Sequence, residues 1–350
     1  MTVTDKKIAV LGTGSIGSSV GADLTHAGLD VTLIDQWPAH VEAMKANGLH
    51  IQFPDEDLKL PVTAWHLCEL AEHVPEFDVV FLAVKSYDTV WMLQLMEPYL
   101  KDNGVVIGLQ NAMNDERISS VVGVERTIGC VVELSAEIFT PGLVKRDTTR
   151  DHTWFGLGEL DGTITPRLEM VKSIMENVAK ITLTNNVEGG KWTKLIANCM
   201  TMGPIGLTGL KNIDARKLPG MFDIAVQLGR EAMAVGDALG YELEPILGLT
   251  AEEFAGADDK VLIKAMETLM NIVGPASVTA PIHDHIKGRK SDMSYINGLV
   301  AEKGKEFGIS VTHNAAVAEI DRRINEHEIP MDDSNFGLLK SMVDSLPNRV

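Results

Sequence analysis

The sequence predicts an α/β domain built on a doubly wound parallel sheet, followed by an all-helical domain, and three observations carry that prediction. Residues 8–35, IAVLGTGSIGSSVGADLTHAGLDVTLID, pass from a short apolar run through closely spaced glycines into a helical segment, then into a second apolar run that ends on an acid. Apolar runs of strand length then alternate with helical segments through the first half, and residues 78–84 (DVVFLAV) read as a strand buried on both faces. Beyond about residue 187 strand signals cease and helical periodicity takes over. The expected domains are therefore 1–187 and 188–350, and 350 residues is comfortable for two cores.

Taken in order, the first strand covers 8–11 and its helix ends near Gly28, before a strand at 31–34. Pro38 opens a helix that stops at Asn47-Gly48, since proline suits a first helical turn and glycine a last one. Strand-like pieces follow at 50–53 and 60–63. After DVVFLAV a helix is expected over 87–99, and Asn103-Gly104 turns the chain into the apolar run VVIGL. Residues 127–160 are strand-rich around the turn signal Thr140-Pro141-Gly142. A helix over 166–176 and a strand over 180–183 complete the domain. Helices are expected from Gly190 onward and over 219–239, 259–270, 295–307 and 312–326, the last with Ala316, Val317 and Ile320 on one side.

The opening segment has a mechanism. Gly12, Gly14 and Gly17 serve a tight turn, a close approach of backbone to a pyrophosphate and a close helix–strand contact. The helix that starts there, behind Gly12, Thr13, Gly14, Ser15, Ile16 and Gly17, offers amide protons and a positive dipole end to phosphates. Asp35, at the tip of the second strand, suits the diol of an adenosine ribose. Strand, turn, helix, strand and acid in this order predict a Rossmann-type dinucleotide site; the plain alternative is a glycine-rich turn in an ordinary α/β unit.

Composition narrows the partners. The formal charge of -18 argues against nucleic acid and anionic membranes, without excluding a small anionic substrate held by local charge. No apolar span approaches 20 residues, and no leader-like segment precedes the first strand, so a cytoplasmic protein is expected. Cys68, Cys130 and Cys199 show neither metal-ligand spacing nor a secreted disulfide pattern. His283 and His285 stand two apart, where helical geometry points them in different directions, so no metal is expected.

Several residues could do chemistry. Lys194 and Asn198 lie four apart on one helix face. A lysine among apolar neighbours gives up its proton more readily, and could protonate a carbonyl oxygen as hydride reaches the carbon. Alone, the pair reads more readily as a surface lysine and a helix-interior amide than as catalytic groups. Asp292, in GRKSDMSYING, could orient a substrate hydroxyl or cap a helix, with Ser291 competing for the cap. Asn111, just past VVIGL, and Lys85, just past DVVFLAV, sit beyond strand ends, where open α/β sheets collect ligands.

Together, GTGSIG (12–17), AVKS (83–86), LQNA (109–112), WTKL (192–195) with Asn198, and YING (295–298) resemble the ketopantoate reductase (2-dehydropantoate 2-reductase) family over almost the whole length. That resemblance implies a Rossmann domain and a helical domain like the C-terminal domain of 6-phosphogluconate dehydrogenase, with substrate between them. It also implies reduction of a 2-oxo acid by a nicotinamide cofactor. It implies that Lys194 is the general acid, that Asn111 positions nicotinamide and substrate, and that Asn198 binds the substrate's hydroxyl side. Asp292 stands where the family has glutamate, Lys85 lies near the cofactor, and a homodimer is expected.

Departures fall on both sides of the reaction. Met202-Gly203-Pro204 replaces an Asn-Pro pair, Ala280 a serine (with Thr279 adjacent), and His283-Asp284 a Gln-Asp pair; 247–270 is longer than in compact members. Asp35 stands where NADPH-using relatives place a cation, which predicts NAD(H) over NADP(H). The expected function is hydride transfer between that cofactor and a small anionic 2-oxo or 2-hydroxy acid. The alternatives are ketopantoate reduction itself, reductive amination on the same plan, and a non-catalytic NAD(H) sensor.

Overall fold

The computed structural model describes residues 3–244, 264 and 277–345. The chain divides into two compact units, Met1–Glu188 and Gly189–Val350.

The first unit is organised by an eight-stranded sheet in the order β12-β11-β8-β7-β6-β1-β2-β5. Its strands are β1 (Lys7–Leu11), β2 (Asp30–Asp35), β5 (Thr63–His66), β6 (Phe77–Leu82), β7 (Leu100–Gly108), β8 (Thr127–Glu133), β11 (Trp154–Glu159) and β12 (Lys180–Leu183). All neighbours are parallel except β8 and β11. The inner parallel strands β1, β2, β6 and β7 carry long apolar buried runs because both faces are covered there. On one face Val10, Leu33, Phe81 and Ile107 join Val20 and Leu24 of α1 (Ser15–His26) and Leu168 and Val171 of α6 (Pro166–Met175). On the other, Leu11, Val80 and Val106 meet α3 (Glu69–His73), α4 (Thr89–Met96) and α5 (Asp115–Val122) through Leu70, Met92 and Ile118.

A second, four-stranded sheet of order β4-β3-β10-β9 comprises β3 (Leu49–Gln52), β4 (Asp57–Leu60), β9 (Ala136–Thr140) and β10 (Leu143–Arg146). It follows α2 (Pro38–Asn47) and is tied to α1 by a buried ion pair. Arg146 is 1% exposed and donates to Asp23 Oδ2 at 2.7 Å and to Thr153 Oγ1 at 2.7 Å. Burial pushes the Asp23 carboxyl up from its ordinary value, against the opposing pull of Arg146 and Arg150.

Element boundaries differ from the sequence reading at three places. The expected helix over 87–99 is a 3₁₀ turn (Ser86–Asp88), α4, and a second 3₁₀ turn (Glu97–Tyr99) that contains Pro98, which cannot donate an α-helical bond. Strand β7 begins at Leu100 and runs through Asn103-Gly104 instead of turning there, with an irregular register against β6 between Phe77 and Val79. The piece expected at 60–63 is the end of β4 and the start of β5, separated by Pro61-Val62.

The second unit is helical. α7 (Val187–Gly206) carries an interior Pro204, and α8 (Asn212–Ala215), α9 (Met221–Ala238), α10 (Ala280–Ile286), α11 (Asn297–Phe307), α12 (Thr312–Asn325) and α13 (Ser334–Ser345) follow. Trp192 of α7 is 1% exposed; its indole donates to the Ala232 carbonyl at 3.0 Å and stacks on Tyr241. The expected helix over 259–270 and the long segment 247–270 lie outside the described residues, apart from 264.

Candidate active site

The glycine turn occupies the C-terminal end of β1, which lies between β6 and β2 in the eight-stranded sheet. Gly12 has φ 91°, and a Cβ there would stand 2.8 Å from the Val84 amide nitrogen. A Cβ on Gly17 would stand 2.0 Å from the Gly12 carbonyl oxygen, so only glycine lets α1 begin this close to the strand end. A Cβ on Gly14 would meet nothing within 4 Å. Gly14 is the N-cap of α1, and no side chain caps the helix. Ser15 and Ile16 form its first turn, whose amides have no intrahelical acceptor and no side-chain cap, as an anion cradle requires. The buried Thr13 Oγ1 has no hydrogen-bond partner among the described residues. These features fit a dinucleotide pyrophosphate.

Asp35 closes β2 beside that turn. It is 7% exposed; its Oδ2 accepts from the Thr13 amide (2.5 Å) and its Oδ1 from the Trp37 amide (2.7 Å). A carboxylate has about four lone-pair sites, so two remain for a ribose diol. Gln36 donates to Asp88 Oδ2 (3.0 Å), and the Trp91 indole donates to Asp88 Oδ1 (2.7 Å). The residue beside Asp35 thus leads to a second carboxylate.

Lys85 and Asn111 follow the ends of β6 and β7, and two buried amides tie their loops together. Gln110 donates to the Val84 carbonyl (2.8 Å) and Thr89 Oγ1 (2.8 Å). Asn114 donates to Ser86 Oγ (3.0 Å) and the Asn111 carbonyl (2.8 Å). Gln110 enters the sequence reading only as part of LQNA and Asn114 not at all, although both lie within three residues of Asn111. Ala112 holds a left-handed backbone with φ 67°.

In the second unit Lys194 and Asn198 stand one turn apart on α7, with Asn198 4% exposed. Asp292 precedes a 3₁₀ turn, Met293–Tyr295, that leads into α11. This segment is anchored to α7 beside Asn198: Asn297 Nδ2 lies 3.5 Å from the Cys199 carbonyl, and a Cβ on Gly203 would stand 2.8 Å from Asn297 Oδ1. Asn297 also donates to Asn314 Oδ1 (2.8 Å), and Asn314 to Glu231 Oε2 (2.8 Å). Ser291 supports the other end, donating to Asp321 Oδ2 (2.7 Å) while its amide donates to Asn325 Oδ1 (2.9 Å). Ser291 therefore does hold the turn, through Asp321. Thr279, beside Ala280, presents a buried hydroxyl with no partner among the described residues; a Cβ on Gly206 would lie 3.7 Å from it.

Burial pushes the Cys199 thiol well up, with Glu231 adding to the effect, so Cys199 stays a core thiol. Among the described residues no group of three or more His, Cys, Asp or Glu is arranged to hold a metal ion. No described helix is long and apolar enough to cross a membrane.

Known proteins match along most of the chain. The family model for ketopantoate reductase PanE/ApbA matches residues 8–159, and that for its C-terminal domain matches 186–325. A 2-dehydropantoate 2-reductase from Mesorhizobium japonicum is 30% identical over 260 residues, covering 67% of this chain and 77% of that protein. The crystal structure of a PanE/ApbA family ketopantoate reductase from Ralstonia eutropha superposes with a TM-score of 0.77 at 26% identity, covering 92% of this chain and 99% of that one. A D-mandelate dehydrogenase solved with NADH and anilino(oxo)acetate shares the fold, with a TM-score of 0.79 at 20% identity and coverage of 92% and 99%. The chain belongs to the ketopantoate reductase family, and so to the NAD(P)-dependent oxidoreductases that act on small 2-oxo and 2-hydroxy acids.

Proposed function

We propose that this protein is an NAD(H)-preferring dehydrogenase of a small 2-oxo/2-hydroxy acid, with Lys194 as its general acid and base. The arrangement on α7 carries the reading: Lys194 and Asn198 are one turn apart, and the segment bearing Asp292 is fastened to the same helix at Cys199. When bound, the cofactor supplies or accepts hydride at its nicotinamide C4. Lys194 Nζ then donates a proton to the substrate oxygen in reduction and withdraws it in oxidation, and its charge stabilises negative charge developing on that oxygen. Asn111 positions the nicotinamide and substrate, Asn198 the substrate hydroxyl, and Asp292 its distal polar group. The Gly12–Gly17 turn receives the pyrophosphate, and Lys85 lies near the reaction centre.

The cofactor preference rests on Asp35. Its carboxylate is aimed by the Thr13 and Trp37 amides, and Asp88 waits behind Gln36. A ribose diol would donate to Asp35, whereas a 2'-phosphate would meet two carboxylates. We also propose a homodimer, as the family resemblance implies, and a cytoplasmic location, which the absence of a secreted disulfide pattern favours.

Steady-state reduction of ketopantoate and of an aryl 2-oxo acid, each with NADH and NADPH, tests the reading. Turnover of either with NADH at higher kcat/KM than with NADPH is expected. Equal or better use of NADPH would overturn the preference. Tight NADH binding without turnover of any 2-oxo or 2-hydroxy acid would favour the sensor.

A further inference from the structure

Thr13, inside the glycine turn, is gripped at both of its backbone polar groups. Its amide donates to Asp35, and its carbonyl accepts from Ser18 Oγ at 2.8 Å. Ser18 Oγ lies 3.1 Å from His40 Nε2, and the Gly142 amide donates to His40 Nδ1 at 2.9 Å. Thr13, Ser18 and His40 are all essentially inaccessible to solvent.

The protons follow by elimination. A backbone amide only donates, so Nδ1 is the lone-pair nitrogen. A carbonyl only accepts, so the single Ser18 hydroxyl proton goes to Thr13. Ser18 Oγ must therefore accept from His40 Nε2–H, and His40 is the neutral Nε2–H tautomer. The chain runs from the β9–β10 turn, through an imidazole and a hydroxyl, to the carbonyl of the peptide between Thr13 and Gly14. In a planar trans peptide the C=O and the following N–H point in opposite directions. Holding the Thr13 oxygen inward, on Ser18, therefore turns the Gly14 N–H outward, toward the space a phosphate would take.

We propose that His40 and Ser18 are positioning residues for the dinucleotide, setting the direction of the Gly14 amide proton through the Thr13 carbonyl. The inference rests on the pyrophosphate occupying the glycine turn.

Three variants separate positioning from packing. Ser18→Ala removes the link to Thr13 with little change of volume. Asn at position 40 places its amide oxygen where Nδ1 stands, keeping the Gly142 bond and losing the donor to Ser18. Gln places its amide nitrogen where Nε2 stands and keeps that donor. The measurements are NADH dissociation constants by fluorescence titration and thermal midpoints without cofactor. Ser18→Ala and His40→Asn should weaken NADH about tenfold, and His40→Gln by no more than about twofold. The loss should fall on KM for NADH more than on kcat, and should not track the midpoints. Equal affinity losses in the two His40 variants, or unchanged affinity in Ser18→Ala, would overturn the proposal while leaving the dinucleotide site standing. Should both His40 variants fail to fold, Ser18→Ala decides alone. Failure of the unaltered chain to bind either dinucleotide would overturn the proposed function together with this inference.

Discussion

Lys194 and Ala112 show how differently two residues of one enzyme are constrained. Lys194 was marked by its spacing from Asn198 but was given its role only by resemblance, because a lysine on a helix face looks alike in catalysis and in solvent. Under the proposed mechanism Lys194→Ala should lower kcat by roughly 10²–10⁴-fold while NADH affinity changes little, since that mechanism uses its proton only as the carbonyl reacts. Stopped-flow turnover beside equilibrium NADH titration reads the two quantities separately, and a near-normal kcat would remove Lys194 from proton transfer. Ala112 has no such duty in view, yet it carries a Cβ in a left-handed backbone. Nothing in LQNA announced this. Relief of that conformation should outweigh the extra freedom glycine gains in the unfolded chain. Ala112→Gly should therefore stabilise the protein by about 0.5–1 kcal/mol, seen as a higher denaturation midpoint.

Among the elements, those held by local chemistry were the legible ones. Pro38 and Gly48 bound α2, Pro166 starts α6, and the β12 bounds coincide with the expected 180–183. The elements without a range of their own in the sequence reading are the short helices α3, α5, α8 and α10, the longer α13, and the separate small sheet, in which Val144 pairs with the distant Ile51. Helix α12 illustrates a local feature with a measurable pH dependence. Glu319 accepts from Arg322 Nε and Arg323 Nε, each at 2.8 Å, and these bonds hold its carboxyl down at about 2 from an ordinary 4.5. A depressed acid stabilises the fold above its unfolded value and loses that contribution as pH falls through the folded one. Glu319→Gln should thus cost at most about 1 kcal/mol at pH 7, because the group is partly exposed, and the difference should vanish between about pH 4.5 and 2. Urea denaturation of both proteins at several pH values would show it; a gap persisting at pH 2 would mean that the glutamine has disturbed packing.

At the scale of the whole molecule, a change of periodicity near residue 187 is legible in the sequence, whereas the internal supports of each unit are not. His40 meets Gly142 across 102 positions and Arg146 meets Asp23 across 123, distances at which no pattern in a single sequence pairs residues. Composition, by contrast, bears directly on the whole. A chain of charge -18 repels a small carboxylate at long range, whatever lysines await it locally. Raising ionic strength from about 10 to 150 mM shortens the screening length from about 30 to 8 Å. The KM for a 2-oxo acid should therefore fall across that range, while kcat holds. A KM that rises with salt would show that nearby cations dominate the approach.

His40 has one more consequence, and it is spectroscopic. A neutral imidazole locked in one tautomer, sealed from solvent and hydrogen-bonded at both nitrogens, shields its ring proton from exchange with water. In a protein with 10 histidines, that proton should give a sharp downfield resonance separable from the exposed imidazoles. Because it sits two hydrogen bonds from the glycine turn, the resonance would report loading of the turn without any added label.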